Sequence, residues 1–177
     1  TSEDIGNIGD GNPDFTWGWN LNLDYKDFNL NMVFEGAQGN EIYNYSKIFT
    51  DFPTFFNGNR STRVLDSWTP SNTSASLPAL SESLTNSETQ PNSFFVEDGS
   101  FVRLKALQVG YTFGDEVIDK LGLNNLRLYF SGTNLFTITG YDGLDPEASE
   151  ANALTIGVDS GRYPLARILS LGLSLNF

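Results

Sequence analysis

Apolar and polar side chains alternate with a period of two in several stretches of the chain, as they do in strands whose side chains point to opposite faces in turn. Phe15, Trp17, Trp19, Leu21, Leu23 and Tyr25 alternate with Thr16, Gly18, Asn20, Asn22 and Asp24. After the short polar break at Lys26-Asp27, Phe28, Leu30, Met32 and Phe34 alternate with Asn29, Asn31, Val33 and Glu35. Two such runs joined by a tight turn predict a β-hairpin over 15–36. The same period predicts a third strand over Leu104–Phe113 and a fourth over Leu126–Ile138. The closing stretch PLARILSLGLSLNF predicts a fifth: from Leu165 every odd position except Arg167 is apolar, while Ser170, Gly172, Ser174 and Asn176 fall on the other side.

The partner face is unusual. A strand with one wet face generally shows Lys, Glu and Thr there, whereas these runs carry Asn, Gly and Ser, which suits a crowded, water-filled interior. The runs also approach the ~9–11 residues that cross a bilayer as a tilted strand. Aromatics sit at the ends of the hairpin, with Phe15, Trp17, Trp19 and Phe34 toward one end and Tyr25 and Phe28 at the other, where a membrane girdle would place them. The last residue, Phe177, is itself aromatic. A terminal strand ending in Phe resembles the assembly signal of bacterial outer-membrane β-barrels.

Between the strands the connections alternate short, long, short-to-medium and long. Residues 1–14 read as loop. Residues 37–100 form a long connection with a short helix over SKIFTDFPTFF broken at Pro53, and no period-two run long enough for another strand. That argues against a complete small barrel, which needs about eight strands. Residues 114–124 hold a helical turn with Val117, Ile118 and Leu121 on one face, and 139–163 form a second long loop. The alternation is that of an up-and-down barrel whose long loops lie on one side and whose strands run down, up, down, up, down. Tyr43, Tyr45, Phe49, Phe52, Phe55, Phe56 and Trp68 are expected to fold the first loop onto itself.

Composition narrows the chemistry. The 177 residues include 14 Phe but no Cys and no His, which removes disulfides, thiol catalysis, the usual general base and the commonest metal ligand. A net charge of −12 with no cationic stripe argues against nucleic acid. No stretch of eighteen apolar residues is present, so no transmembrane helix is expected; with neither a signal peptide nor an initiator Met, a mature fragment or a truncated chain is expected. Glu97-Asp98 and the carboxylates of 142–150 invite comparison with glycosidase pairs, and Asp142, Asp145 and Glu147 with a calcium loop. Neither spacing follows the corresponding pattern, so no enzyme, cofactor or metal is expected.

The strings GNPDFTWGWNLNLDYKDFNLNMVFEGAQGNEIYN, VLDSWTPSN, FFVEDGSFVRLKALQVGYTF, NLRLYFSGTNLFTITGYDGLDPE, GVDSGRYPLAR and LSLGLSLNF resemble, in this order, the SusC-like, TonB-dependent outer-membrane transporters. The resemblance covers essentially the whole chain but only the carboxyl-terminal end of that family. It implies an all-β, transmembrane antiparallel barrel of about twenty-two strands, of which residues 1–177 supply the last five, with long extracellular loops at 37–100 and 139–163. It further implies import of oligosaccharides, peptides or other nutrients beneath a SusD-like lipoprotein, with TonB acting through parts absent here. Barrel-assembly machinery reading Phe177 and outer-membrane lipid around the girdle complete the expected partners. The competing expectation is a soluble β-sandwich carbohydrate-binding or adhesin module, whose apolar face would lie buried between two sheets.

Overall fold

The computed structural model describes residues 5–81, 90–147 and 155–177, which group into two compact units. One is built from Pro13–Gly39, Gly99–Gly140 and Pro164–Phe177. It is a single antiparallel sheet of five strands: β1 (Phe15–Tyr25) and β2 (Phe28–Gln38) come first, and its third, fourth and fifth strands follow in chain order. The other unit takes Asn40–Asp98 and Tyr141–Tyr163 together with the beginning of the chain. It holds β3 (Glu41–Asn44), α1 (Ser46–Asp51) and β4 (Val96–Asp98). Beyond these come β5 (Phe101–Thr112), α2 (Asp115–Leu121) and β6 (Asn125–Thr139) of the sheet unit, β7 (Val158–Asp159) of the other unit, and finally β8 (Ile168–Asn176) of the sheet.

In the sheet the order β1-β2-β5-β6-β8 is the order of the chain. Register carries the alternation seen in each strand across all five. Leu23 lies opposite Leu30, Leu30 opposite Val109, Val109 opposite Phe130 and Phe130 opposite Leu171, one apolar row across the whole width. A one-residue slip would turn a strand's apolar set to the other face, and two irregularities handle the places where the alternation breaks. Lys105 is an extra residue in β5 facing Val33/Phe34, and β6 bulges between its Thr133 and Phe136 partners of β5, with Asn134 at φ 51°. Asn tolerates that left-handed conformation better than most residues. The turn at Lys26-Asp27 puts Lys26 itself at φ 53°.

Several boundaries differ from those read in the sequence. β2 continues to Gln38, and β5 begins three residues early, at Phe101. β8 begins at Ile168, so Leu165 precedes it, Phe177 follows it, and Ile168 pairs with Thr133 on the polar face. The larger correction concerns 37–100 and 139–163, which are more than connecting loop. β3 pairs antiparallel with β4 and parallel with β7, making a second sheet of order β4-β3-β7. These strands have two to four residues each, too short for any periodicity to show.

The unit of β3, α1, β4 and β7 has its own core. Ile48, Phe52 and Phe95 are buried, with Tyr43, Tyr45, Phe49 and Phe94 packed around them. Phe55 and Phe56 stack edge-on against Phe49 at 5.4 and 5.8 Å, so the loop's aromatics do fold onto themselves, Trp68 being left half open. Pro53 cannot continue a helix, and α1 stops at Asp51. Arg60 gathers a freed carbonyl of the helix's last turn, that of Phe49 (3.2 Å), together with the carbonyls of Pro53 (2.6 Å) and Phe56 beyond the helix. Asp51, fully buried, accepts both Nε and Nη2 of Arg63 at 3.1 Å.

Candidate functional site

The most extensive candidate surface is the sheet itself. Its apolar face is open: Leu169, Leu171, Leu173, Phe130, Leu128, Leu23 and Trp19 are all exposed, Leu171 to 74%. On its polar face Asn29, Asn31, Gln108, Arg127, Tyr129 and Ser131 of the inner strands are half-buried, whereas Asn20, Asn22, Ser170 and Ser174 of the edge strands are exposed; on the apolar face Leu30, Met32, Phe34 and Leu107 are half-buried by their neighbours in the sheet. The exposed leucines and aromatics depart from the usual arrangement in water, where apolar surface is driven inward at roughly 25 cal/mol per Å². The sandwich expectation required the apolar face to be covered, and it is not.

Both faces are built by close fit to glycine. The ring of Trp17 lies across Gly36, where a Cβ would come within 2.6 Å of it and of the Phe101 carbonyl. Next to it Trp19 and Phe34 stack at 5.5 Å. At the opposite end Phe28, paired with Tyr25, packs on Tyr111 at 4.7 Å, and Tyr111 on Phe113 at 5.0 Å. The aromatics singled out in the sequence, Phe15, Trp17, Trp19, Tyr25, Phe28 and Phe34, therefore share one face in two groups. Phe177 lies past the last paired residue and is exposed.

On the polar face, Arg127 reaches over Gly110 to donate to Asn29 Oδ1 at 3.1 Å, so β6 is tied to β2 across β5. Tyr129 lies over Gly172, and Arg127 lies against the Tyr129 ring. Asn31 donates to Asn22, Lys105 pairs with Glu35, and the buried Arg103 donates to Thr137 at 2.9 Å. The periodicity alone marked the Asn and Gly positions as one face. It gave no sign of the bulge that brings Lys105 to Glu35.

In the unit of β3, α1, β4 and β7, Glu97 and Asp145, noted in the sequence, serve as anchors, and so does Asp159. Glu97 accepts Lys47 Nζ at 2.6 Å, the Asn44 amide at 3.0 Å and the Asp142 backbone N–H at 2.8 Å. Burial pushes this carboxyl up, but the Lys47, Asp142 and Asn44 bonds outweigh that and hold it below its ordinary value. Asp159, fully buried, accepts the Tyr141 hydroxyl at 2.6 Å and the Gly161 N–H at 2.8 Å. Burial, then that carboxylate, raises the Tyr141 phenol well above its ordinary range. Asp145 is buried and accepts the Glu147 N–H at 3.0 Å. Among the described residues no three carboxylates gather as cation ligands, and Glu150 lies outside them. Asn44, Lys47, Thr50, Arg63, Asp142 and Leu144 border an open cleft of about 260 Å³. Both its cations are already paired, Lys47 with Glu97 and Arg63 with Asp51.

No family model matches the chain. It is 39% identical over 96% of its length to TonB-dependent receptor P3 of Formosa agariphila and 34% identical over 100% to receptor P26 of the same organism. It is 28% identical over 93% of its length to the TonB-dependent receptor SusC of Bacteroides thetaiotaomicron. Its share of those proteins is 17%, 18% and 15% of their lengths. Among solved structures, the RagAB peptide importer in its open-open state matches with a TM-score of 0.77 and 27% identity, over 94% of this chain and 17% of that one. With sequence likeness spanning nearly every residue, and a sheet whose apolar face carries exposed side chains, this chain belongs to the SusC-like TonB-dependent receptors, β-barrel proteins of the outer membrane.

Proposed function

We propose that the sheet is part of the wall of a SusC-like transporter, namely the carboxyl-terminal five strands of a barrel of about twenty-two, and that the complete protein imports a nutrient through the outer membrane. The observation that carries this is the open apolar face backed by a polar, Asn- and Gly-rich one. In lipid such a face costs nothing, and a barrel satisfies every backbone group without leaving an edge. Trp17, Trp19, Leu21, Leu30, Met32 and Phe34 then face lipid, while Asn20, Asn22 and Asn31 face the lumen. Phe15, Trp17, Trp19 and Phe34 form one girdle and Tyr25 and Phe28 the other.

Residues 37–100 and 139–163 both leave the sheet from the end at which β1 starts, whereas Lys26-Asp27 and α2 close the other end. We assign the first end to the cell exterior, where a SusD-like lipoprotein would cover the opening, and the second to the periplasm, where TonB acts through parts of the protein outside this chain. Oligosaccharides and peptides are the cargo classes considered, and likeness to a peptide importer supports the second. The test is labelling of whole cells carrying single cysteines in the complete transporter. Ser76→Cys and Ser149→Cys should react with an impermeant reagent from outside, and Lys26→Cys and Asp119→Cys should not. The reverse pattern would overturn the topology. Reaction at all four sites in soluble protein would overturn the membrane assignment.

A further inference from the structure

α2 joins β5 to β6 at the short-connection end, and it is amphipathic along its seven residues. At about 100° per residue, Val117, Leu121 and Ile118 occupy one stripe, and Asp115, Glu116, Asp119 and Lys120 occupy the rest. Only one edge of that stripe is covered. Ile118 is 8% exposed, whereas Val117 and Leu121 are 40% and 59% exposed. The helix cannot roll freely to hide them. Gly122, at φ 66°, ends it, with the Gly122 N–H donating to Asp119 and the Leu123 N–H to Ile118, a closed left-handed cap.

The sheet's apolar face runs up to this helix. Phe113 extends β5 by one more pair, its N–H donating to the Leu126 carbonyl at 2.9 Å, and its ring continues the row Phe28–Tyr111–Phe113. Two residues later α2 begins. Leu126, on the same face, is buried like Ile118, while Leu128 beyond it is open. Strand, aromatic row and helix follow one another in the chain and belong to one compact unit.

We infer that α2 is a membrane-surface foot, its Val117–Leu121 edge lying in the headgroup region of the leaflet at the short-connection end. The inference rests on the reading of the sheet as a membrane wall. Lipid is the occupant because the exposed edge belongs to the unit that carries the lipid-facing surface, on a helix that begins two residues past the aromatic row that ends it. It is also too small for a protein partner: two side chains fall far short of the ~800 Å² per side of a stable interface. The three acids against one lysine on the opposite face favour zwitterionic over anionic headgroups.

Nitroxide labels test this in the full-length transporter in phosphatidylcholine vesicles, at Glu116→Cys, Val117→Cys, Asp119→Cys and Leu121→Cys, with Leu171→Cys as the sheet reference; this stretch of the protein has no cysteine of its own. Collision with oxygen should exceed collision with a water-soluble nickel chelate at 117, 121 and 171, and the order should reverse at 116 and 119. Nickel exceeding oxygen at 117 and 121, or shielding of both from either reagent, overturns the foot while 171 still reports lipid. Nickel exceeding oxygen at 171 instead overturns the wall reading, and the foot with it.

Discussion

Leu171→Arg is the sharpest test of which way the sheet faces. Leu171 is in the apolar row opposite Phe130, five residues before Asn176, where β8 ends. Five residues of strand span about 16 Å. A tilt of about 40° reduces this to about 13 Å of height, half of the ~25 Å apolar band of a membrane barrel. An arginine there should cost about 2–4 kcal/mol, the depth-dependent value for the midplane. Leu175→Arg, one residue from the strand end, should cost about 0–1 kcal/mol, and Ser170→Arg, on the lumen side, no more than that. If the face were merely wet, a residue 74% exposed would tolerate arginine within about 0.5 kcal/mol. Urea unfolding of the complete transporter in phospholipid vesicles, followed by tryptophan fluorescence, gives the three differences. Equal, small effects at 171, 175 and 170 would refute the lipid assignment. A large effect at 170 with none at 171 would show that the faces are exchanged.

Phe177→Ala in the full-length protein should sharply lower the amount assembled in the outer membrane, with little change in the melting of what is inserted, since an exposed strand-end ring contributes far less than the ~3–5 kcal/mol of a core phenylalanine; normal surface levels would leave it one more girdle aromatic. Gly36→Ala should destabilise the barrel by about 1–3 kcal/mol, because the added Cβ meets both the Trp17 ring and the Phe101 carbonyl, measurable in the same urea titration. Tyr141 has a raised phenol pKa, so its contribution is full below the unfolded value of about 10 and declines as pH rises beyond it; Tyr141→Phe should cost about 1.5–3 kcal/mol at neutral pH and abolish that alkaline decline, read by hydrogen exchange at Tyr45 and Gly161. Glu97 has a lowered pKa, so its contribution is present above the unfolded value of about 4.3 and is lost as pH falls through the folded one. Exchange at the Asp142 N–H should accordingly accelerate in acid, and Glu97→Gln should flatten this response.

What the sequence determined by itself is the local part of the fold. Side-chain alternation depends only on strand geometry, so the apolar faces of β1, β2, β5, β6 and β8 were legible residue by residue, as was the helical turn carrying Val117, Ile118 and Leu121. The low-charge partner face already set this chain apart from a sandwich. Tertiary structure alone decided what depends on partners distant in sequence. Lys105 breaks the alternation in β5, and only pairing with Val33 and Phe34 reveals the bulge and the ion pair to Glu35. β3, β4 and β7 have too few residues to show a period, and they exist because Tyr43 meets Val96 and Val158 across separations of 53 and 115 residues. Nothing in the sequence marks Glu97 and Asp159 as anchors among the 22 acids of the chain. They are anchors because the fold buries them and supplies Lys47, Asn44 and Tyr141, and a carboxylate taken out of water is stable only with such donors in place.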